Sequence, residues 1–129
     1  MPLLRFDISK GHADSYIQNM LDGAHRAVLR AFSVPERDRY QIVHEHENGR
    51  MVVQDTGLGI VRSSNVVVIT VVSRPRSEDA KRLFYEAVCS ELMEACQISP
   101  DDVVVSFIIN SDADWSFGEG RAQFLTGEL

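Results

Sequence analysis

The chain opens Met1-Pro2-Leu3-Leu4-Arg5-Phe6-Asp7, and its second residue is the first that points to chemistry. A small residue after the initiator methionine lets that methionine be removed, which makes the nitrogen of Pro2 a secondary amine. An α-amino group titrates near neutrality, at roughly 7.7–8.0, so its surroundings decide whether it acts as acid, base or nucleophile. A retained Met1 turns the same nitrogen into an amide and abolishes that chemistry. Arg74-Pro75-Arg76 is the second element. Two guanidinium groups around a rigid proline suit a carboxylate, which arginine grips with paired N–H donors. The helix that opens at Ser77 adds a partial positive field. Asp38, between Arg37 and Arg39, is the third. A surface pair with an arginine explains it; so does a place beside the amine, where its charge raises the amine's pKa. The two arginines push the other way. Trp115 and Phe117 alternate as one face of a strand does, and Phe124 and Leu129 extend that apolar surface. Part of it belongs to a core and part to a binding wall, and such a wall disfavours a bound carboxylate relative to a charge-dispersed transition state.

The remaining candidates carry less. His44 and His46 alternate on a strand, but no third or fourth metal ligand accompanies them, so no metal is expected. His12 and His25 read as surface or helix-packing residues. Gly57-Leu58-Gly59 lacks the third glycine and the strand–helix context of a dinucleotide loop. Cys89 and Cys96 lie seven apart on one helical face, roughly 10 Å apart in rise, and read as two buried thiols rather than a disulfide.

These residues need elements to position them, and the elements repeat. Residues 2–8 read as a strand, with Asp14 at the N-cap region of a helix. Ile17, Met20, Leu21, Ala24, Ala27, Val28, Ala31 and Phe32 mark that helix's apolar stripe. Pro35 ends it, and Tyr40 starts a second strand. The pattern then returns. Asn65 to Val72 reads as a strand buried on both faces, Ser77 caps a helix, Pro100 ends it, and Val103 to Ile109 is the last strand. A shift of 64 residues lays Met20 on Phe84, Ala24 on Val88, Val28 on Leu92 and Ala31 on Ala95. The expectation is one domain over 1–129, with a pseudo-repeat at about 2–46 and 65–110 and a tail at 111–129. Its class is α/β (α+β): two β-α-β units pair into a four-stranded mixed sheet, with both right-handed crossovers placing their helices on one face. The other face then needs cover, which oligomerisation supplies. Glu47 to Ser64 reads as a loop, and the tail as turns with a small hairpin.

Composition excludes several classes. With 129 residues, 44% hydrophobic and 25% charged, the chain matches a globular domain able to bury a core. Its net charge of −6 argues against nucleic-acid binding. No stretch approaches a membrane span, and the N-terminus lacks an export signal, so a cytoplasmic protein is expected.

Pro2, Asp38-Arg39-Tyr40, Ser73-Arg74-Pro75-Arg76-Ser77 and Asp112-Ala113-Asp114-Trp115-Ser116-Phe117-Gly118 together resemble the tautomerase superfamily. Within it the chain is similar to the malonate semialdehyde decarboxylase family. The resemblance runs end to end, including Asp55-Thr56-Gly57-Leu58-Gly59, Arg62-Ser63-Ser64 and Phe124-Leu125-Thr126-Gly127-Glu128-Leu129. It implies a homotrimer without organic cofactor or metal, acting on a small 3-oxo acid. Catalysis falls to Pro2, Asp38, Arg74 and Arg76, and the apolar wall to Trp115, Phe117, Phe124 and Leu129. The implied reaction turns malonate semialdehyde into acetaldehyde and carbon dioxide. Either a protonated Pro2 stabilises the carbonyl oxygen, or a neutral Pro2 forms an iminium ion as electron sink. Rival readings are a hydratase or dehalogenase of 3-haloacrylate- or alkynoate-type acids, and a non-catalytic trimer that binds a carboxylate.

Overall fold

In the computed structural model, which describes residues 1–129, four seven-residue strands and two nineteen-residue helices account for most of the order. Strand β1 spans Leu3–Ser9, helix α1 Asp14–Phe32 and strand β2 Tyr40–His46. Strand β3 spans Val67–Ser73, helix α2 Glu78–Cys96 and strand β4 Val103–Ile109. The sheet order is β2-β1-β3-β4. Within each β-α-β unit the strands are parallel, and the two units meet along an antiparallel β1–β3 seam. The fold expectation therefore holds.

The seam positions everything that follows. Its register sets Leu3 opposite Val72, so the start of β1 lies beside the end of β3. Parallel pairing sets Leu3 opposite Tyr40 on its other side. The chain's first residues are thus bracketed by the segment entering β2 and the segment leaving β3.

Helix ends follow local chemistry. Ser77 caps α2 by accepting from the Ala80 amide at 3.1 Å. Asp14 is not the cap of α1 but its first-turn acid; the cap position is Ala13, which offers no side-chain acceptor. Both helices stop at a left-handed residue, Ser33 and Gln97. Their stripes pack on one sheet face, where Leu4, Phe6, Ile8, Val67, Ile69, Val71, Phe84, Val88 and Leu92 join one buried cluster. The helices approach closely at Gly23, where a Cβ would lie 3.3 Å from both the Ala95 methyl and the Glu91 carbonyl.

Three further sequence expectations are corrected. Strand β3 alternates buried and half-buried residues rather than being covered on both sides, because both crossovers put their helices on the same face. The tail has no hairpin; a short turn at Asp112–Asp114 and a four-residue helix at Gln123–Thr126 take its place. Cys89 is half-buried, and only Cys96 is buried. The 47–64 segment is the loop expected, and Asp55 organises its glycine turn by accepting from the Gly57 and Gly59 amides at 3.1 and 2.7 Å.

Candidate active site

The α1–β2 connection brings Asp38 under the chain's amino terminus. Its Oδ2 accepts from the Met1 ammonium at 2.6 Å, and the residue is 8% exposed. The surface reading of Asp38 is thereby excluded. Arg39, the neighbour that would have paired with it, instead donates to Asp22 at 2.7 Å and to Gln41 at 2.8 Å. Pro2 is fully buried and shares its surroundings with Asp38, Arg39 and Tyr40. Burial lowers the pKa of the terminal amine; Asp38 opposes that fall, and the charges of Arg76 and Arg74 add to it.

The two arginines arrive from the other side of the seam, at the end of β3. Each is held by a fixed partner that leaves part of its fork free. Arg76 donates through Nε to the Ser73 hydroxyl at 3.0 Å, and that hydroxyl donates to the Arg74 carbonyl at 2.8 Å. Ser73 is itself fully buried. Arg74 donates to Asp112 at 2.9 Å, and its guanidinium carbon sits 3.9 Å from the Phe124 ring centroid, a cation–π contact. Arg74 Nε and Arg76 Nη2 are buried with no partner. Unmade hydrogen bonds of this kind are costly, and a bound carboxylate supplies the acceptors. Desolvation, then the neighbouring Arg74 charge, lowers the Arg76 pKa, and Asp38 opposes the shift.

The tail contributes an aromatic row. Trp115 stacks on Phe117 with centroids 5.3 Å apart, and Phe124 meets Phe117 edge-on at 5.4 Å. Trp115 keeps its indole N–H satisfied by donating to Asn110 at 2.7 Å. Phe117 and Leu129 border an open cleft of about 220 Å³, together with Met1, Pro35, Arg37, Asp38 and Tyr40. The structure thus gathers Pro2, Asp38, Arg74, Arg76, Trp115, Phe117, Phe124 and Leu129 around the chain's start. Sequence reasoning missed Arg37 and Tyr40 in the cleft, and Ser73 and Asp112 as holders of the arginines. The signal for Tyr40 was the parallel β1–β2 pairing, which puts it beside Leu3.

Elsewhere, His46 contacts Asp7 at 2.7 Å and His44 lies 3.6 Å from it. His25 is buried and makes a 2.7 Å hydrogen bond to the Glu36 carbonyl. Burial raises the pKa of both thiols, which leaves them poor nucleophiles.

Such a constellation, an amine between a carboxylate and two guanidinium groups beside an aromatic wall, can anchor an anionic substrate and deliver or accept a proton at its far end. Comparison with known proteins gives the family. Two models described as tautomerase enzyme match residues 38–118 and 2–60. The chain is 50% identical to the probable tautomerase YrdN of Bacillus subtilis (strain 168) over the full length of both. It superposes with a TM-score of 0.97 on a malonate semialdehyde decarboxylase solved in wild-type, mutant and inactivated forms and described as having decarboxylase and hydratase activities. That protein is 57% identical, with 98% of each chain covered. FG41 malonate semialdehyde decarboxylase inhibited by 3-bromopropiolate is 33% identical, with a TM-score of 0.94 over 98% of this chain and 97% of its own. The chain belongs to the tautomerase superfamily and, within it, to the malonate semialdehyde decarboxylase family.

Proposed function

We propose that this protein, once Met1 is removed, decarboxylates malonate semialdehyde to acetaldehyde and carbon dioxide without a cofactor. The observation that carries the reading is the pairing of the amino terminus with buried Asp38, within the field of two arginines that keep unpaired buried N–H groups. In this reading Arg74 and Arg76 hold the substrate carboxylate so that the breaking bond stands perpendicular to the carbonyl plane. The Pro2 ammonium, whose charge Asp38 favours, donates to the carbonyl oxygen. As the carbon–carbon bond breaks, its electron pair becomes the double bond of an enol, which is then protonated at carbon and released as acetaldehyde. The wall of Trp115, Phe117, Phe124 and Leu129 favours the charge-dispersed transition state over the bound carboxylate. The protonated route is preferred to the iminium route because Asp38, whose carboxylate lies 2.6 Å from the Met1 nitrogen one residue before Pro2, would favour the ammonium form of the Pro2 amine once Met1 is removed.

We further propose a homotrimer. The sheet face away from the helices carries Leu3, Tyr40, Ile42, Val68, Val72, Val104 and Ile108, of which Tyr40, Ile42 and Ile108 are exposed. Burying that face between subunits removes apolar area from water, and a closed ring satisfies every copy equally.

The test is incubation of Met1-free protein, verified by intact mass, with malonate semialdehyde and, separately, with a 3-haloacrylate. The reading expects acetaldehyde and carbon dioxide in equal amounts and clear preference for the oxo acid. Turnover of the haloacrylate alone moves the protein to the hydratase and dehalogenase branch. Turnover of neither leaves a carboxylate-binding protein.

A further inference from the structure

The cleft beside the amine holds a cation that the decarboxylation of malonate semialdehyde does not use. Arg37 is exposed and lines the cleft with Met1, Pro35, Asp38, Tyr40, Phe117 and Leu129. Its sequence neighbours are committed: the Asp38 carboxylate to the terminal amine, and Arg39 to Asp22 and Gln41. Arg37 itself forms no side-chain hydrogen bond or ion pair. The other cationic end lies across the aromatic row. From the Arg74 guanidinium the row passes over Phe124 to Phe117 and on to Tyr40, whose ring centroid is 5.7 Å from that of Phe117. The site therefore has arginines at two ends, an amine–carboxylate pair between them and an apolar side. At the Arg37 end the site opens into a cleft of about 220 Å³, roughly seven waters at ~30 Å³ each, room for a substituent beyond a three-carbon oxo acid.

We propose that Arg37 forms a second anion-binding position, and that the site also takes oxo dicarboxylates whose second carboxylate lies on the far side of the reacting carbonyl. The inference rests on the decarboxylase reading of the same site. The carboxylate to be lost sits on Arg74 and Arg76, and the retained one meets Arg37 in a charge-assisted hydrogen bond that disrupts no existing ion pair. The bond between the α-carbon and the lost carboxylate breaks, and its electrons form the enol double bond. The carbonyl oxygen takes the Pro2 proton. Protonation of the enol at carbon and return of the oxygen's proton to Pro2 complete the cycle, with the second carboxylate unchanged.

The experiment uses Met1-free parent, Arg37→Gln and Arg37→Lys, with two readouts. Binding of glutarate and of butyrate is measured by NMR titration, and decarboxylation of 3-oxoglutarate and of malonate semialdehyde is followed by carbon dioxide release. The parent should bind glutarate more tightly than butyrate. Arg37→Gln should shrink that preference about twofold to fivefold, the range of an exposed ion pair, and Arg37→Lys should restore part of it. The ratio of kcat/KM for 3-oxoglutarate to that for malonate semialdehyde should fall by a similar factor in Arg37→Gln. Equal affinity of the parent for glutarate and butyrate, or equal losses on both ligands in Arg37→Gln, overturns the inference while leaving malonate semialdehyde decarboxylation standing. Glutarate preference that depends on Arg37, in a protein that decarboxylates neither oxo acid, keeps the second anion position and rejects the decarboxylase reading.

Discussion

At the residue scale the account turns on how one carboxylate sets an amine. At the Met1 amine, burial lowers the pKa, Asp38 opposes the fall, and the two arginines add to it; the Pro2 amine of the Met1-free protein meets the same charges. Asp38→Asn removes the one large opposing charge, so the amine of the Met1-free protein should titrate at a lower pH than in the parent. Since the proposed route needs the ammonium, decarboxylation should fall away at a correspondingly lower pH on the alkaline side. A pH–rate profile of both proteins, with NMR titration of the Pro2 nitrogen, checks the sign. A limb that stays in place, or moves to higher pH, contradicts it. The arginines make a second prediction. Arg74 is fixed by Asp112 and Phe124, and Arg76 by Ser73, so the forks are prealigned. Arg74→Lys and Arg76→Lys should each lose about tenfold or more in kcat/KM, because an ammonium offers no planar pair of donors. Ser73→Ala should act in the same direction more weakly, by loosening Arg76, with KM rising more than kcat falls.

At the element scale, much was legible because periodicity is a strong signal. Strand β4 appears at the bounds expected from its valine-rich run, and helix α2 begins after the serine expected to cap it. The site was legible only in part. Pro2, Asp38 and the Arg-Pro-Arg segment stand out by type and place, but their meeting depends on the antiparallel β1–β3 register, a long-range choice that local pattern does not encode. The tail misled for a related reason: Trp115 and Phe117 do share a face, yet their partners are Phe124 and Asn110 rather than a second strand. Arg37 and Asp112 gave no signal of these particular roles, since a charged residue in a turn looks like any solvated one. The helix pair offers its own prediction. Gly23 sits where α1 packs tightly on α2, so Gly23→Leu should cost about 1–3 kcal/mol by overpacking. Thermal unfolding would register it as a clear drop in Tm, and an unchanged Tm would mean that the helices tolerate separation.

At the scale of the whole molecule, the two β-α-β units cover one sheet face and leave the other open, the face that the proposed trimer would bury. No helix is long and apolar enough to cross a membrane. On the open face, Ile108 is 56% exposed and belongs to an edge strand. Ile108→Glu should therefore leave the folded chain nearly as stable while disfavouring association, as charge in an apolar interface is costly. Sedimentation at micromolar concentration should give a trimer for the parent and smaller species for the variant. A parent that stays monomeric and active would remove the trimer from the account.

The most direct test of the central claim is turnover of malonate semialdehyde by Met1-free parent and by a Pro2→Ala protein, both verified by mass and by circular dichroism. Alanine keeps a primary amine but loses the ring and the secondary nitrogen that fix its basicity and direction. The account predicts acetaldehyde and carbon dioxide from the parent and a loss of about 10²-fold or more in kcat for the variant, the scale of a positioned proton donor. Near-parental turnover by a folded Pro2→Ala protein would contradict it.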